Sequence, residues 1–266
     1  MATATEPATI GLLHPGEMGA AVGQCLAEAG HTVLWASQGR GPRTAERAAA
    51  AGLEDAGNAA VLARRADIVV SVCPPHAAIE VARSLPGLRS PYLDANAIAP
   101  GTARQVAQIV RAAGGTYVDG GIIGPPPDQA GSTRLYLSGS AEAATQAVAR
   151  LFAGTRLEPR IAGGGDCSAS AIKMAYAAWT KGSAAVLLAV CALAEAEGVT
   201  DDLVAEWQLS QPGLQDRAAS AERSAAAKGW RWEAEMREIA ATMAAAGLPD
   251  GFHLAAAEMY ARYPRP

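Results

Sequence analysis

The sequence predicts an α/β protein in two parts: an N-terminal doubly wound parallel sheet, then an all-helical C-terminal domain. Three observations predict it. Up to about residue 160, short β-branched runs alternate with alanine-rich amphipathic stretches, the pattern that lays helices on the faces of a parallel sheet. A glycine-bearing turn, His14-Pro15-Gly16-Glu17-Met18-Gly19, links the first run to the first helical stretch. Beyond Gly163-Gly164-Gly165-Asp166 no β-like alternation returns and alanine dominates.

In chain order, the β-branched runs place strands at 9–13, 32–35, 67–72, 92–94, 116–119 and 134–138. The alanine-rich stretches between them place helices at 16–29, 42–51, 75–85, 101–113 and 141–152. The triple glycine followed by Asp166 reads as a helix start, with the Asp166 side chain capping the first amides. No proline follows until well past Glu197, so this helix should run roughly 32 residues, about 48 Å at the α-helical rise. Three or four shorter helices are expected after it, punctuated at Gly198, Pro212-Gly213, Gly229 and Gly247-Leu248-Pro249. The domains are therefore 1–162 and 163–266.

The chain has 266 residues, half of them apolar, enough for a substantial core. A formal net charge of −4 gives no basic face with which to displace counterions, so nucleic acid is excluded as a partner. Cys25, Cys73, Cys167 and Cys191 form no Cys-x-x-Cys pair, which removes zinc-ribbon and thioredoxin readings and leaves no metal site in view. The opening residues carry no secretory pattern, and the apolar run 184–194 falls short of the about 20 residues a bilayer span needs. A cytoplasmic location without membrane association is the expectation.

The glycine turn carries the first chemistry. A dinucleotide fingerprint wants Gly-x-Gly-x-x-Gly between strand and helix: one glycine for the turn, one for approach of the pyrophosphate, one for helix packing. Gly16 and Gly19 fill the second and third places, and His14 stands in the first. The segment from His14 and Pro15 through Gly16, Glu17, Met18 and Gly19 is thus the candidate phosphate loop of a Rossmann domain, with amides facing the phosphates. At the end of the second strand an acidic residue suits a ribose 2′-hydroxyl and arginine a 2′-phosphate. The stretch Ala36-Ser37-Gln38-Gly39-Arg40-Gly41-Pro42-Arg43 offers arginines and no carboxylate before Glu46, so Ser37, Arg40 and Arg43 point to NADP(H), with NAD(H) as the alternative. Two further strand ends, Cys73-Pro74-Pro75 and Asp94-Ala95-Asn96, fall on the same cleft. Asn96 has a donor and an acceptor for a carboxamide, and Cys73 reads as small packing in preference to a nucleophile.

Four segments, Ile10 to Gly19, Leu93 to Pro100, Val118 to Pro125 and Ser170-Ala171-Ile172-Lys173-Met174, resemble the β-hydroxyacid dehydrogenase superfamily, which includes 6-phosphogluconate dehydrogenase-like proteins and imine reductases. With the stretch from Arg231 to Pro249, the resemblance covers nearly the whole chain. It implies hydride transfer between a nicotinamide and a small-molecule substrate. The family's substrate-touching serine falls on Ile123, beside Gly124, and its catalytic lysine on Lys173; the asparagine that completes the lysine motif is replaced by Ala177. These two departures suggest a larger or more apolar substrate than a small hydroxy acid.

On a helix, Lys173, Tyr176, Ala177 and Thr180 share one face, among apolar neighbours. A partly desolvated ammonium there can give a proton to a carbonyl being reduced or take one from an alcohol. Tyr176 is the rival proton donor, Thr180 a supporting residue, and Trp207 and Trp232 candidates for an aromatic substrate pocket. Arg231, Glu235 and Glu238 read as a solvated face, His31 and His253 as surface or boundary residues, and Tyr260 and Tyr263 as possible dimer contacts. The reading is an NADP-dependent oxidoreductase acting on a carbonyl/alcohol pair, the helical domain closing the cleft. An imine reductase or reductive aminase, and an NADP-binding protein without turnover, are the alternatives. The length of the apolar helix leads us to expect a homodimer.

Overall fold

The computed structural model describes residues 6–85 and 87–265. One compact unit runs to Lys173 and a second from Met174 onward. The division therefore falls inside a helix, whereas the sequence pattern placed it at the glycines before that helix begins.

The first unit is built on an eight-stranded sheet: β1 (Thr9–Leu13), β2 (Thr32–Trp35), β3 (Glu54–Asp55), β4 (Ile68–Ser71), β5 (Pro91–Asp94), β6 (Thr116–Ile123), β7 (Thr133–Ser138) and β8 (Leu157–Ile161). The strand order is β3-β2-β1-β4-β5-β6-β7-β8. All neighbours are parallel except β6 and β7, where Gly121 faces Tyr136 in an antiparallel register. The helices are α1 (Glu17–Glu28), α2 (Pro42–Ala50), α3 (Ala59–Arg65), α4 (Ala78–Arg83), α5 (Pro100–Ala112) and α6 (Glu142–Phe152).

Alternation along each strand divides the core between the two sheet faces. Leu12, Val33, Val70, Leu93 and Val118 pack with Val22, Leu26 and Phe152 of α1 and α6. Their neighbours Leu13, Leu34, Val69, Tyr92 and Tyr117 pack with Leu62, Val81 and Val106 of α3, α4 and α5. The sheet is thus doubly wound, and its order reverses between β1 and β4, where open α/β sheets bind ligands beyond their carboxyl ends.

Three elements depart from the sequence pattern. The strand expected at 116–119 continues to Ile123, so Ile122 and Ile123 are buried sheet residues. β3 and α3 break up what had read as a loop: β3 has two exposed residues, and α3 is announced only by Asn58, whose side chain accepts the Val61 amide at 2.9 Å. β8 contains Pro159, which removes a ladder donor and is tolerated because β8 is an edge strand.

The second unit is helical, from the remainder of α7 (Ser168–Ala196) through α8 (Thr200–Ser210), α9 (Leu214–Ala245) and α10 (Gly251–Ala261). α9 is not short. It runs 32 residues straight through Gly229, a position taken from sequence as a break. A Cβ at Gly229 would lie 2.9 Å from that of Tyr263, so this glycine admits a close neighbour without interrupting the helix. Glu235 is buried and ion-paired with Lys181, not solvated. His253 is buried and its Nε2 lies 3.3 Å from the Ala178 carbonyl. Tyr260 is buried and donates to the Lys181 carbonyl at 2.7 Å, while Tyr263 donates to Glu222 at 2.6 Å, so both have partners within the chain. His31, also buried, accepts the Ala8 amide at 3.2 Å. Among the described residues α7 alone is long and apolar enough to cross a membrane by length and composition, with a mean hydropathy of 1.6 over its most apolar window. Counting only the uninterrupted run 184–194 hid this, because alanines on either side keep the average high.

Candidate functional site

The turn after β1 adopts the shape the fingerprint asks for. His14 has φ 65°, the left-handed region that glycine enters freely and histidine does not. The Gly16 amide donates back to the His14 carbonyl at 2.7 Å. A Cβ at Gly19 would sit 2.3 Å from that carbonyl, so the third glycine is fixed by the approach of α1 to the turn. Gly16 is different: nothing lies within 4 Å of its would-be Cβ, and as N-cap of α1 it offers no side-chain acceptor. The space beside Gly16, at the N-terminus of α1 and the strand-order switch, is therefore open, which fits the pyrophosphate of a dinucleotide. Pro15 is buried, and its carbonyl accepts Arg47 at 3.3 Å, while Glu17 and Met18 form the exposed and half-buried first turn.

The loop after β2 places Arg40 against this turn: its Nη2 is 2.6 Å from His14 Nε2. Burial and the guanidinium together lower His14 to about 4, so the ring is neutral at pH 7. Ser37 donates to the Gly57 carbonyl at 3.4 Å, and Arg43 is exposed in the first turn of α2. The structure adds a residue the sequence reading missed. Asp55, paired with Trp35 in the β2–β3 register, is a carboxylate close to the end of β2. It accepts the Gly57 amide at 2.7 Å, which with Ser37 holds it below the usual carboxylate range.

At the ends of β4 and β5 the side chains serve one another. The Cys73 amide donates to Asn96 Oδ1 at 2.6 Å, and Asn96 Nδ2 donates to Ser71 at 3.2 Å. Asn96 thus braces two turns, with one bond to its side-chain carbonyl and one from its amide nitrogen. Cys73 is buried and its thiol is pushed up to about 12, which agrees with packing over nucleophilic chemistry. Pro74 leads into a single turn of 3₁₀ helix that begins at Pro75. Asp94 is fully buried and raised to about 7 by desolvation, eased by the Asn96 amide at 3.1 Å.

Lys173 reaches the sheet through α7. The helix does not use Asp166 as its cap; that side chain pairs with Arg111 at 3.2 Å. Its first amides are met from the sheet instead, Ala169 by Ser138 Oγ at 3.0 Å and Ser170 by Asp119 at 2.8 Å. The hydroxyls of Ser170 and Ser138 also donate to Asp119. A Cβ at Gly121 would fall 2.6 Å from the Ala169 carbonyl and 3.2 Å from the Lys173 Cβ, so glycine there lets α7 lie directly on β6. Lys173 is half-buried one turn beyond Ser170, past the register that ends β5 at Asp94. The signal available in the sequence was Ser170 at i−3 from Lys173, with Asp119 preceding two glycines. Ile123 is buried in β6 opposite Arg134, and Gly124 follows at φ 131°.

In the helical unit, Tyr176 is exposed and Trp207 buried. Thr180 and Trp232 do come together, lining a cavity of about 280 Å³ with Lys181, Ser183, Arg217 and Tyr260. Trp232 packs edge-on to Tyr260 at 5.1 Å, and Lys181 Nζ lies 5.4 Å from the Trp232 ring centre.

The chain is similar to a conserved protein of unknown function whose structure reveals similarity with 3-hydroxyacid dehydrogenases: 25% identity, TM-score 0.69, 96% of each chain covered. It is similar in fold to Mycobacterium tuberculosis 3-hydroxyisobutyrate dehydrogenase, at 20% identity and TM-score 0.71, covering 97% of this chain and 94% of that one. A reductive aminase from Aspergillus terreus, solved with NADPH and ethyl-5-oxohexanoate, gives 21% identity and TM-score 0.61 over 96% of this chain and 93% of its own. No curated protein matches significantly. Residues 194–263 match a domain of unknown function, DUF1932. Residues 8–156, which contain the phosphate loop and all but the last few residues of the sheet, match the NAD binding domain of 6-phosphogluconate dehydrogenase and support a nicotinamide cofactor. Matched over more than half its length, the chain belongs to the family of the NAD binding domain of 6-phosphogluconate dehydrogenase.

Proposed function

We propose that this protein is an NADP-dependent oxidoreductase that interconverts a carbonyl and an alcohol, with Lys173 Nζ giving or taking the proton. The observation that carries the reading is the setting of Lys173, half-buried on a helix turn that Asp119 and Gly121 hold against the carboxyl end of β6. A bound nicotinamide supplies or accepts the hydride. Around it, the open space beside Gly16 at the N-terminus of α1 receives the pyrophosphate, and Arg40 and Arg43 favour a 2′-phosphate. Asp55, a carboxylate paired in register with the end of β2, already accepts the Gly57 amide, which further supports NADP over NAD.

The test is Lys173→Met, assayed for NADPH consumption with a panel of ketones and aldehydes. Loss of general acid–base catalysis lowers turnover by about 10²–10⁴ while NADPH binding is unchanged. Near-full turnover in the variant would refute the assignment.

A second reading, imine reduction or reductive amination, is favoured by one observation: Ile123 and Ala177, where the family resemblance puts polar residues, are both buried apolar side chains. A ketone reductase consumes NADPH with ketone alone; a reductive aminase needs added amine. In either reading the protein is a homodimer, since Trp179, Val186 and Leu193 leave an apolar stripe exposed along α7.

A further inference from the structure

The residue that breaks the glycine fingerprint is also the most constrained one in the loop. Among the described residues, His14 is the only non-glycine with a positive φ. That backbone state is unfavourable for a β-carbon-bearing residue, so it persists only where its surroundings impose it. Its neighbour is Arg40 Nη2, 2.6 Å from Nε2. A guanidinium has donors only, so Nε2 of the neutral ring must accept and Nδ1 must carry the proton. Nδ1 is buried and has no hydrogen-bond partner, a second cost at the same residue. Glycine would avoid both.

What His14 gains for the loop is a fixed arginine. Arg40 follows Gly39, at φ 75°, and leads into Gly41, the N-cap of α2, which has no side-chain cap. Flanked by two glycines, an arginine has no preferred direction of its own. The hydrogen bond to His14 ties the guanidinium across the end of β1, beside the open first turn of α1, and close enough to Cys73 for its charge to act on that thiol. One guanidinium edge is held by an uncharged acceptor, leaving its positive charge uncompensated and its remaining donors directed by a rigid partner.

We propose that His14 is a positioning residue for cofactor selectivity: it orients Arg40 to receive a phosphate on the ribose 2′-oxygen, so that the departure from glycine selects the phosphorylated dinucleotide. This rests on the NADP reading above, and the experiment separates the two.

Adenosine 2′,5′-bisphosphate and adenosine 5′-monophosphate are titrated calorimetrically into the wild-type protein, His14→Gly, Arg40→Ala and the double variant. The pair differs only in the 2′-phosphate. Glycine suits the backbone at this position, so His14→Gly is expected to fold, and a thermal melt checks it; His14→Asn, which also tolerates positive φ, is the second variant. Expected is a bisphosphate preference in the wild type. His14→Gly lowers the ratio of bisphosphate to monophosphate affinity by about tenfold, the scale of one charge-assisted hydrogen bond. In the Arg40→Ala background the same change has no effect on the bisphosphate. Unchanged bisphosphate affinity in His14→Gly, an equal loss for both nucleotides, or a His14 effect that survives Arg40→Ala would each overturn the proposal while leaving a wild-type preference, and with it the NADP reading, intact. A wild type that does not prefer the bisphosphate overturns both.

Discussion

Asp119, on the sheet strand β6, holds Ser170, in the first turn of α7, by two bonds: its carboxylate accepts the Ser170 amide at 2.8 Å and the Ser170 hydroxyl at 2.5 Å. The carboxylate also accepts from Ser138 at 2.9 Å and lies 3.4 Å from the Tyr117 hydroxyl. Burial pushes Asp119 up and these donors pull it back down. An acceptor at a helix N-terminus satisfies amides that have no partner within the helix.

Asp119→Ala leaves several buried donors without their acceptor, and the expected loss of stability is about 2–4 kcal/mol in urea unfolding. Asp119→Asn, which keeps one acceptor oxygen, should lose less. The Ser170 amide should exchange with deuterium faster in the alanine variant than amides in the middle of α5. A change below about 0.5 kcal/mol, the range of an ordinary surface substitution, would show that the clamp contributes little.

Asp94 supplies the pH dependence. Desolvation raises it from 3.8 to about 7, so over that interval the unfolded chain is ionised and the folded chain holds a proton. Folding then takes up a proton, and stability falls as pH rises from about 4 to 7, with a contribution on the order of 4 kcal/mol that is fully lost above the folded value. Asp94→Asn cannot ionise. The stability of the wild type minus that of the variant should therefore decline between pH 4.5 and pH 8, measured by denaturant titration at each pH and read at about 1.4 kcal/mol per unit. A difference that stays flat with pH would contradict a raised Asp94.

How much of this was legible in the sequence depended on the range of the interaction involved. β1, β2 and α1 could be read because their signals are local: alternation, a turn and a glycine spacing. The end of β6 was missed because Gly120 and Gly121 look like a loop, whereas Gly121 is there for the backbone of α7, which follows some fifty residues later in the chain. Asp166 looked like a cap because it precedes the helix, yet Asp119 and Ser138 do the capping from strands that no sequence window joins to it. Glu235 read as solvated for a similar reason: its partner Lys181 lies on another helix.

That ion pair gives a third test. Glu235 is 7% exposed and Lys181 21% exposed at the side chain, so the pair is largely withdrawn from water. Removing the cation takes a charge partner from a buried carboxylate, and Lys181→Met should cost about 3–5 kcal/mol in denaturant unfolding. Lys181→Met combined with Glu235→Leu should recover a good part of that loss, since two apolar groups need no mutual charge compensation. A double variant as unstable as the sum of the single ones would mean the two residues act independently.

The proposed homodimer rests on α7. Trp179, Val186 and Leu193 are 70%, 59% and 62% exposed and recur at seven-residue intervals, which keeps them on one side of the helix. Such a stripe is costly to leave in water and is the form of a helix-to-helix seam. If a second copy covers it, light scattering at micromolar concentration reports twice the monomer mass, and Trp179→Glu shifts the population to monomer without unfolding it. The same helix meets the length and composition of a bilayer span, which gives the competing outcome: a protein that floats with lipid vesicles, and whose flotation Trp179→Glu abolishes. A monomer that ignores vesicles would refute the dimer and leave the stripe without an occupant.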